Sequence, residues 1–130
     1  MLPLTAEWVA KAEADFATAT RELRARRLPN YDAACFHAQQ CAEKYLKARL
    51  QEARIAFSRT HDLVTLMNLL QPPEPVLLGL LSDLRLLSAF GVAFRYPGAT
   101  ADRAMAQDAV RRCRTVRAAL RTSLYLPSLP

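Results

Sequence analysis

Few side chains in this chain can do chemistry near neutral pH: it has two His and three Cys, set among 18 Lys and Arg. His61 and Asp62 are adjacent, and two readings fit them. One is a base with its orienting carboxylate, reaching a shared pocket. The other, which is favoured, is helix-start chemistry, with Asp62 answering the N-terminal dipole and His61 packing on a neighbour. His37 and Cys41 stand at i, i+4, a spacing that could share a metal ion. Two ligands do not make a site, and no further Cys/His cluster accompanies them, so no metal is expected. Arg95 offers a planar fork suited to a phosphate, while Tyr96 beside it is a poor base at pH 7. Arg95 reads equally as a helix-entry residue paired with a carboxylate such as Asp15. That acid lies at the edge of an apolar stripe, where burial without a partner is costly.

Two polar faces add candidates. Gln40, Glu43, Lys44 and Lys47 share one broad side of a long helix. They could contact a nucleotide or a partner, or form a solvated face with Glu43 and Lys47 at the favourable i, i+4 order. In the last helix, with Met105 at zero and ~100° per residue, the apolar stripe covers about 0–100°. On the same wheel Arg103, Arg114, Arg117 and Arg121 fall at about 120–180°, roughly opposite the core. Such a basic surface suits RNA phosphates or an acidic protein, and a merely solubilising face fits as well. No Gly-rich or aromatic stacking module accompanies it.

The elements that must position these residues follow from breakers and periodicity. With 130 residues, 52% of them apolar, the chain is expected to be one domain over 1–130, with 126–130 a flexible tail. Thr5 is a candidate cap for a first helix in which Trp8, Ala12, Phe16, Ala19 and Leu23 form one stripe ending near Arg27. Leu28-Pro29-Asn30 breaks it. A second helix runs from about Tyr31 to Arg54; its apolar and small residues cover over half the circumference, which makes it central. Thr60 caps a short helix, His61 to Leu70. Pro75 starts a fourth helix through about Phe90. Thr100 caps the last, where Met105, Ala109, Cys113, Val116, Leu120 and Leu124 form the stripe. The predicted fold is all-α, an antiparallel up-and-down bundle of four main helices plus a short one.

Bulk properties narrow the classes. The odd number of Cys and the lack of a CxxC pair fit a reducing compartment. MLPLTAEW has no basic region followed by a long apolar stretch, so no signal peptide is expected. The stretch Pro75 to Phe94 is interrupted by Asp83 and Arg85 and reads as buried helix, not a membrane span. A cytoplasmic protein is expected, with no membrane contact. Net charge is +6, and from Ala101 to Leu124 six Arg stand against two acids. This excess permits an anionic partner without proving one.

Four stretches, taken in order, resemble the short bacterial and archaeal HEPN domains. They are Trp8 with Ala12, Asp15 and Ala19; the run from Tyr31 to Ala48, with Phe36-His37-Ala38-Gln39-Gln40 and Glu43-Lys44-Tyr45-Leu46-Lys47; Thr60-His61-Asp62-Leu63; and Phe94-Arg95-Tyr96-Pro97. Together they span nearly the whole chain. The resemblance implies a helical bundle that commonly forms homodimers. It further implies frequent pairing with a minimal nucleotidyltransferase, often as a toxin–antitoxin couple. Many such proteins are metal-independent endoribonucleases, marked by an Arg, four to six residues, then a His, at the start of the last helix. Arg95 has the position of that Arg. The His would fall at Thr100, Ala101 or Asp102; none is His, and no His follows His61.

Cleaving RNA through its 2′-OH needs a base, an acid for the leaving oxygen and a cation for the phosphorane charge. Arg95 supplies the cation, but nothing else in that motif titrates near neutrality. The expectation is therefore a non-catalytic or divergent homodimeric module, without cofactor, that binds a nucleotidyltransferase partner and nucleotide or RNA. The alternative is an HEPN endoribonuclease toxin with a degenerate active site.

Overall fold

A computed structural model describes all 130 residues. Six helices follow in order: α1 Pro3–Arg24, α2 Tyr31–Glu52, α3 Leu63–Asn68, α4 Pro75–Leu78, α5 Leu81–Ala93 and α6 Arg103–Ser123. α1, α2, α5 and α6 make the expected all-helical bundle. α2 packs against α1, α6, α5 and α3 and so occupies the centre. Its inner positions are largely small, with Ala34, Cys35, Ala38, Cys41, Ala42 and Ala48 fully buried. Small side chains let neighbouring backbones approach closely, and the larger Leu46, Leu50, Leu66, Leu84, Leu87 and Leu120 fill the remaining space. No helix is long and apolar enough to cross a membrane.

Several boundaries differ from expectation, each for a local reason. α1 starts at Pro3, whose missing N–H costs nothing in the first turn. Thr5 is therefore inside the helix, fully buried, and caps nothing. The cap of α2 is Asn30, whose Oδ1 accepts from the Ala33 N–H at 2.9 Å. α3 begins two residues later than Thr60 predicts, because Asp62 Oδ1 takes the Thr65 N–H at 2.9 Å. Thr60 instead accepts from the Asp62 N–H and supports the turn before the cap. Likewise Asp102, not Thr100, caps α6, accepting from Met105 N–H at 2.8 Å. The expected fourth helix is split into α4 and α5 at Gly79-Leu80. There the Leu80 N–H reaches back three residues to Leu77 instead of four, a tightened turn at a poor helix former.

Residues 126–130 have no regular structure. Arg121 Nε donates to the Pro127 carbonyl at 2.8 Å and Arg117 Nη1 to that of Pro130 at 3.1 Å.

Candidate functional site

The polar residues of α2 gather into three clusters. In the first, Gln39, Glu43 and Lys47 succeed one another at i, i+4 along a buried stripe. Glu43 Oε1 accepts from Gln39 Nε2 at 3.1 Å and lies 2.9 Å from His61 Nδ1, while Oε2 accepts from Lys47 Nζ at 3.0 Å. Gln39 Nε2 also donates to the His61 carbonyl, and its Oε1 accepts from Gln40 Nε2 at 2.8 Å. Lys47 Nζ stands 5.6 and 5.9 Å from the ring centroids of Trp8 and Phe57. Burial pushes the Glu43 carboxyl up. Hydrogen bonds from His61, Gln39 and Lys47, with the Lys47 charge, outweigh that and hold it below the ordinary range.

This overturns the solvated face expected of Glu43 and Lys47, because Trp8 of α1, Phe57 and His61 of the segment before α3, and Gly91 of α5 close over that side. Gln40 and Lys44 remain half-exposed. His61 pairs with Glu43, and Asp62 is occupied as a cap, so the two do not form a base and its orienter.

The second cluster is centred on Asp15. Its Oδ1 lies 2.7 Å from His37 Nδ1, and its Oδ2 accepts from Lys44 Nζ at 2.5 Å. The expected Asp15–Arg95 pair is absent, since two α2 side chains already satisfy this carboxylate. Arg95 is exposed, with its guanidinium 5.5 Å from the Phe36 ring centroid. The same Phe36 ring meets the His37 imidazole edge-on. Arg95 and His37 therefore flank one ring. Tyr96 is 69% exposed. His37 turns to Asp15, while the Cys41 thiol is buried against Cys113, so the i, i+4 pair does not converge. Burial pushes the Cys41 thiol up, and that of Cys35 to about 12. No three His, Cys, Asp or Glu side chains converge as metal ligands.

The third cluster joins α6 to α1 and α2. Arg117 grips Glu13 with Nε and Nη2, both at 2.7 Å, and lies 4.1 Å from the Phe16 ring centroid. Tyr45 donates its hydroxyl to Glu13 and accepts from Arg121 Nη1 at 3.0 Å. Burial and the neighbouring Glu13 charge push the Tyr45 phenol up. Arg117 and Arg121 are 5% and 7% exposed, which removes them from the expected basic surface; Arg103 and Arg114 stay on it. The error lay in anchoring the stripe on Met105, which is 41% exposed. α1 covers the side assigned to solvent, so the buried arc reaches as far as Arg121.

Sequence reasoning missed Glu13 and the His37–Asp15 contact. The available signal was the excess of cations on α6, together with Lys44 on α2, set against Glu13 and Asp15 of α1.

A single bundle with its polar side chains drawn onto the central helix defines the class of protein. The HEPN domain model matches residues 5–123, and the chain belongs to the HEPN domain family. Its fold is similar to the crystal structure of TT1696 from Thermus thermophilus, at 25% identity and a TM-score of 0.76. That match covers 93% of this chain and 98% of the other. It is also similar in fold to ST0689, an archaeal HEPN homologue, at 24% identity and a TM-score of 0.72. There the shared regions are 92% and 97% of the two chains. Among curated proteins no relative matches.

Proposed function

We propose that this HEPN protein is a homodimeric interaction module that engages a minimal nucleotidyltransferase partner and holds nucleotide or RNA, and is not a ribonuclease. The observation that carries the reading is that the turn after Arg95 supplies no imidazole, since no His follows His61. His61 is turned to Glu43 and His37 to Asp15, each on another element, while Arg95 touches only an aromatic ring through its guanidinium. A phosphodiester held at Arg95 has a cation beside it but no free imidazole in the same turn to take a 2′-OH proton. Apolar side chains left in water along α5 and the following turn support association, with Leu86, Val92 and Tyr96 at 37%, 62% and 69% exposure.

The test incubates the purified chain with mixed RNA in the absence of metal, beside an Arg95→Ala control. Intact RNA is expected. Arg95-dependent cleavage would overturn the reading in favour of a toxin-like endoribonuclease. Light scattering at micromolar concentration should give the mass of a dimer, and a monomer would sink that part. Co-expression with the nucleotidyltransferase of an adjacent reading frame should give a stable complex; absence of such a frame, or of a complex, removes the partner.

A further inference from the structure

The C-terminal half of α1, the turn after it and the start of α6 carry exposed arginines, among them Arg21, Arg24, Arg26 and Arg103. None of the ion pairs in the molecule involves them. Two grooves run between them. One, of about 560 Å³, is lined by Phe16, Thr20, Arg21 and Arg24. The other, of about 690 Å³, lies among Arg24, Arg26, Tyr31, Arg103 and Gln107. Arg24 and Ala25 line both, so the four guanidinium groups border two adjoining depressions.

The nearby carboxylates keep their charges but pair with none of these arginines. Glu22 accepts from the Asn30 N–H, Asp32 from the Ala101 N–H and Asp102 from the Met105 N–H, at 3.2, 2.6 and 2.8 Å. The C-terminus of α1 adds a partial charge of roughly −0.5, small against four full positive charges, and the N-terminus of α6 adds the opposite sign. Guanidinium forks match phosphate oxygens two at a time. Tyr31, half-exposed in the groove, provides the aromatic face on which readers of single strands stack a base. An acidic protein fits less well, because the Asp and Glu it would supply are depleted at the centres of protein interfaces.

We propose that this α1–α6 groove binds the phosphodiester backbone of single-stranded RNA, with Arg24 at its centre and a base against Tyr31. The choice of RNA rests on the preceding reading; the groove shares no residue with the Arg95 surface or with the exposed apolar side chains of α5.

The experiment measures fluorescence anisotropy of a labelled oligouridine of about twelve nucleotides against the full chain, across a salt series. The Arg24→Gln/Arg26→Gln double variant should bind at least about tenfold more weakly, and its salt slope should shrink by about 1.4, since each lost phosphate contact removes about 0.7. Its thermal midpoint should match wild type, as both arginines are exposed. Tyr31→Leu should weaken binding several-fold with the slope unchanged, and Arg95→Ala should leave groove binding in place. The proposal is overturned if wild type binds no RNA or if the double variant binds as tightly. It is also overturned if polyglutamate displaces the RNA as well as unlabelled RNA does, which would assign the surface to an acidic protein. Dimer mass and partner capture, read separately, decide the earlier reading.

Discussion

Arg117 of α6 holds Glu13 of α1 in a two-point fork, with both nitrogens 2.7 Å from the carboxylate. The Tyr45 hydroxyl of α2 meets the same carboxylate. One acid thus ties three helices together, at a place where removing either charge leaves the other partly desolvated.

Arg117→Ala should therefore destabilise the fold by about 2 kcal/mol, the loss of a charge-assisted pair together with an aromatic contact. Arg117→Lys should recover only part of this, because an ammonium cannot make both bonds. Urea midpoints at constant slope would measure it; a loss no larger than that of an exposed arginine would refute the fork as a fastener.

Acid should weaken the protein through the same residue. Burial raises the Glu13 carboxyl; the bonds from Arg117 and Tyr45, with the charges of Arg117 and Arg121, more than reverse it, so the folded value lies below the ordinary 4.5. Glu43 is likewise held below 4.5. A carboxyl lowered in the folded state contributes stability that is fully present above its unfolded value and lost as pH falls through the folded one. Wild-type stability should decline below the ordinary carboxyl value of 4.5, and Arg117→Ala should show a shallower decline. A pH-independent urea midpoint in that range would contradict both assignments.

Glu43→Gln tests the buried stripe of α2. The amide keeps the shape but leaves the Lys47 ammonium without its counter-charge, so a loss of about 2–3 kcal/mol is expected. His61→Ala should cost much less, about 0.5 kcal/mol, since its side chain is 66% exposed. Equal losses would mean that His61, not Lys47, is the partner that matters to Glu43.

These clusters mark where the sequence was legible and where it was not. Breakers such as Leu28-Pro29-Asn30, and the small-residue breadth of α2, pointed to the bundle and its central helix directly. Caps were harder, because Thr60 and Asp62, or Thr100 and Asp102, both suit the role, and only the backbone path decides. Burial of charge was the real gap. Helical angles show which residues share a side but not which neighbour covers it, so Glu43, Lys47, Arg117 and Arg121 all read as solvated. Asp15, at the edge of an apolar stripe, reads from the sequence as an acid needing a partner, and it has two. Its partners, His37 and Lys44, lie on a different helix, a relation that periodicity within one helix does not contain.

Gly91 shows how tightly α5 is set against that stripe. A Cβ there would stand 2.6 Å from Gln39 Cγ and 2.9 Å from Cδ. In an open helix, Ala in place of Gly gains up to about 1 kcal/mol. Here Gln39 is fixed at both ends of its amide by Gln40, Glu43 and the His61 carbonyl, so it cannot swing aside without breaking those bonds. Gly91→Ala should be destabilising by about 1–2 kcal/mol despite its helix propensity. A raised thermal midpoint would show that the two helices can separate freely.

Arg95 is the residue on which function and stability part. It is exposed, and its guanidinium contact is the Phe36 ring at 5.5 Å, an interaction worth about 0.5–1 kcal/mol at such a site. Arg95→Ala should then unfold within about 1 kcal/mol of wild type. A structural helix-entry role, with a buried carboxylate as partner, would have cost several times more. Asp15→Ala should behave in the opposite way, destabilising the fold by about 2 kcal/mol because Lys44 and His37 lose their shared acceptor. If Arg95→Ala proved as damaging as Asp15→Ala, the arginine would belong to the scaffold, and the surface around it would lose its claim to bind anything.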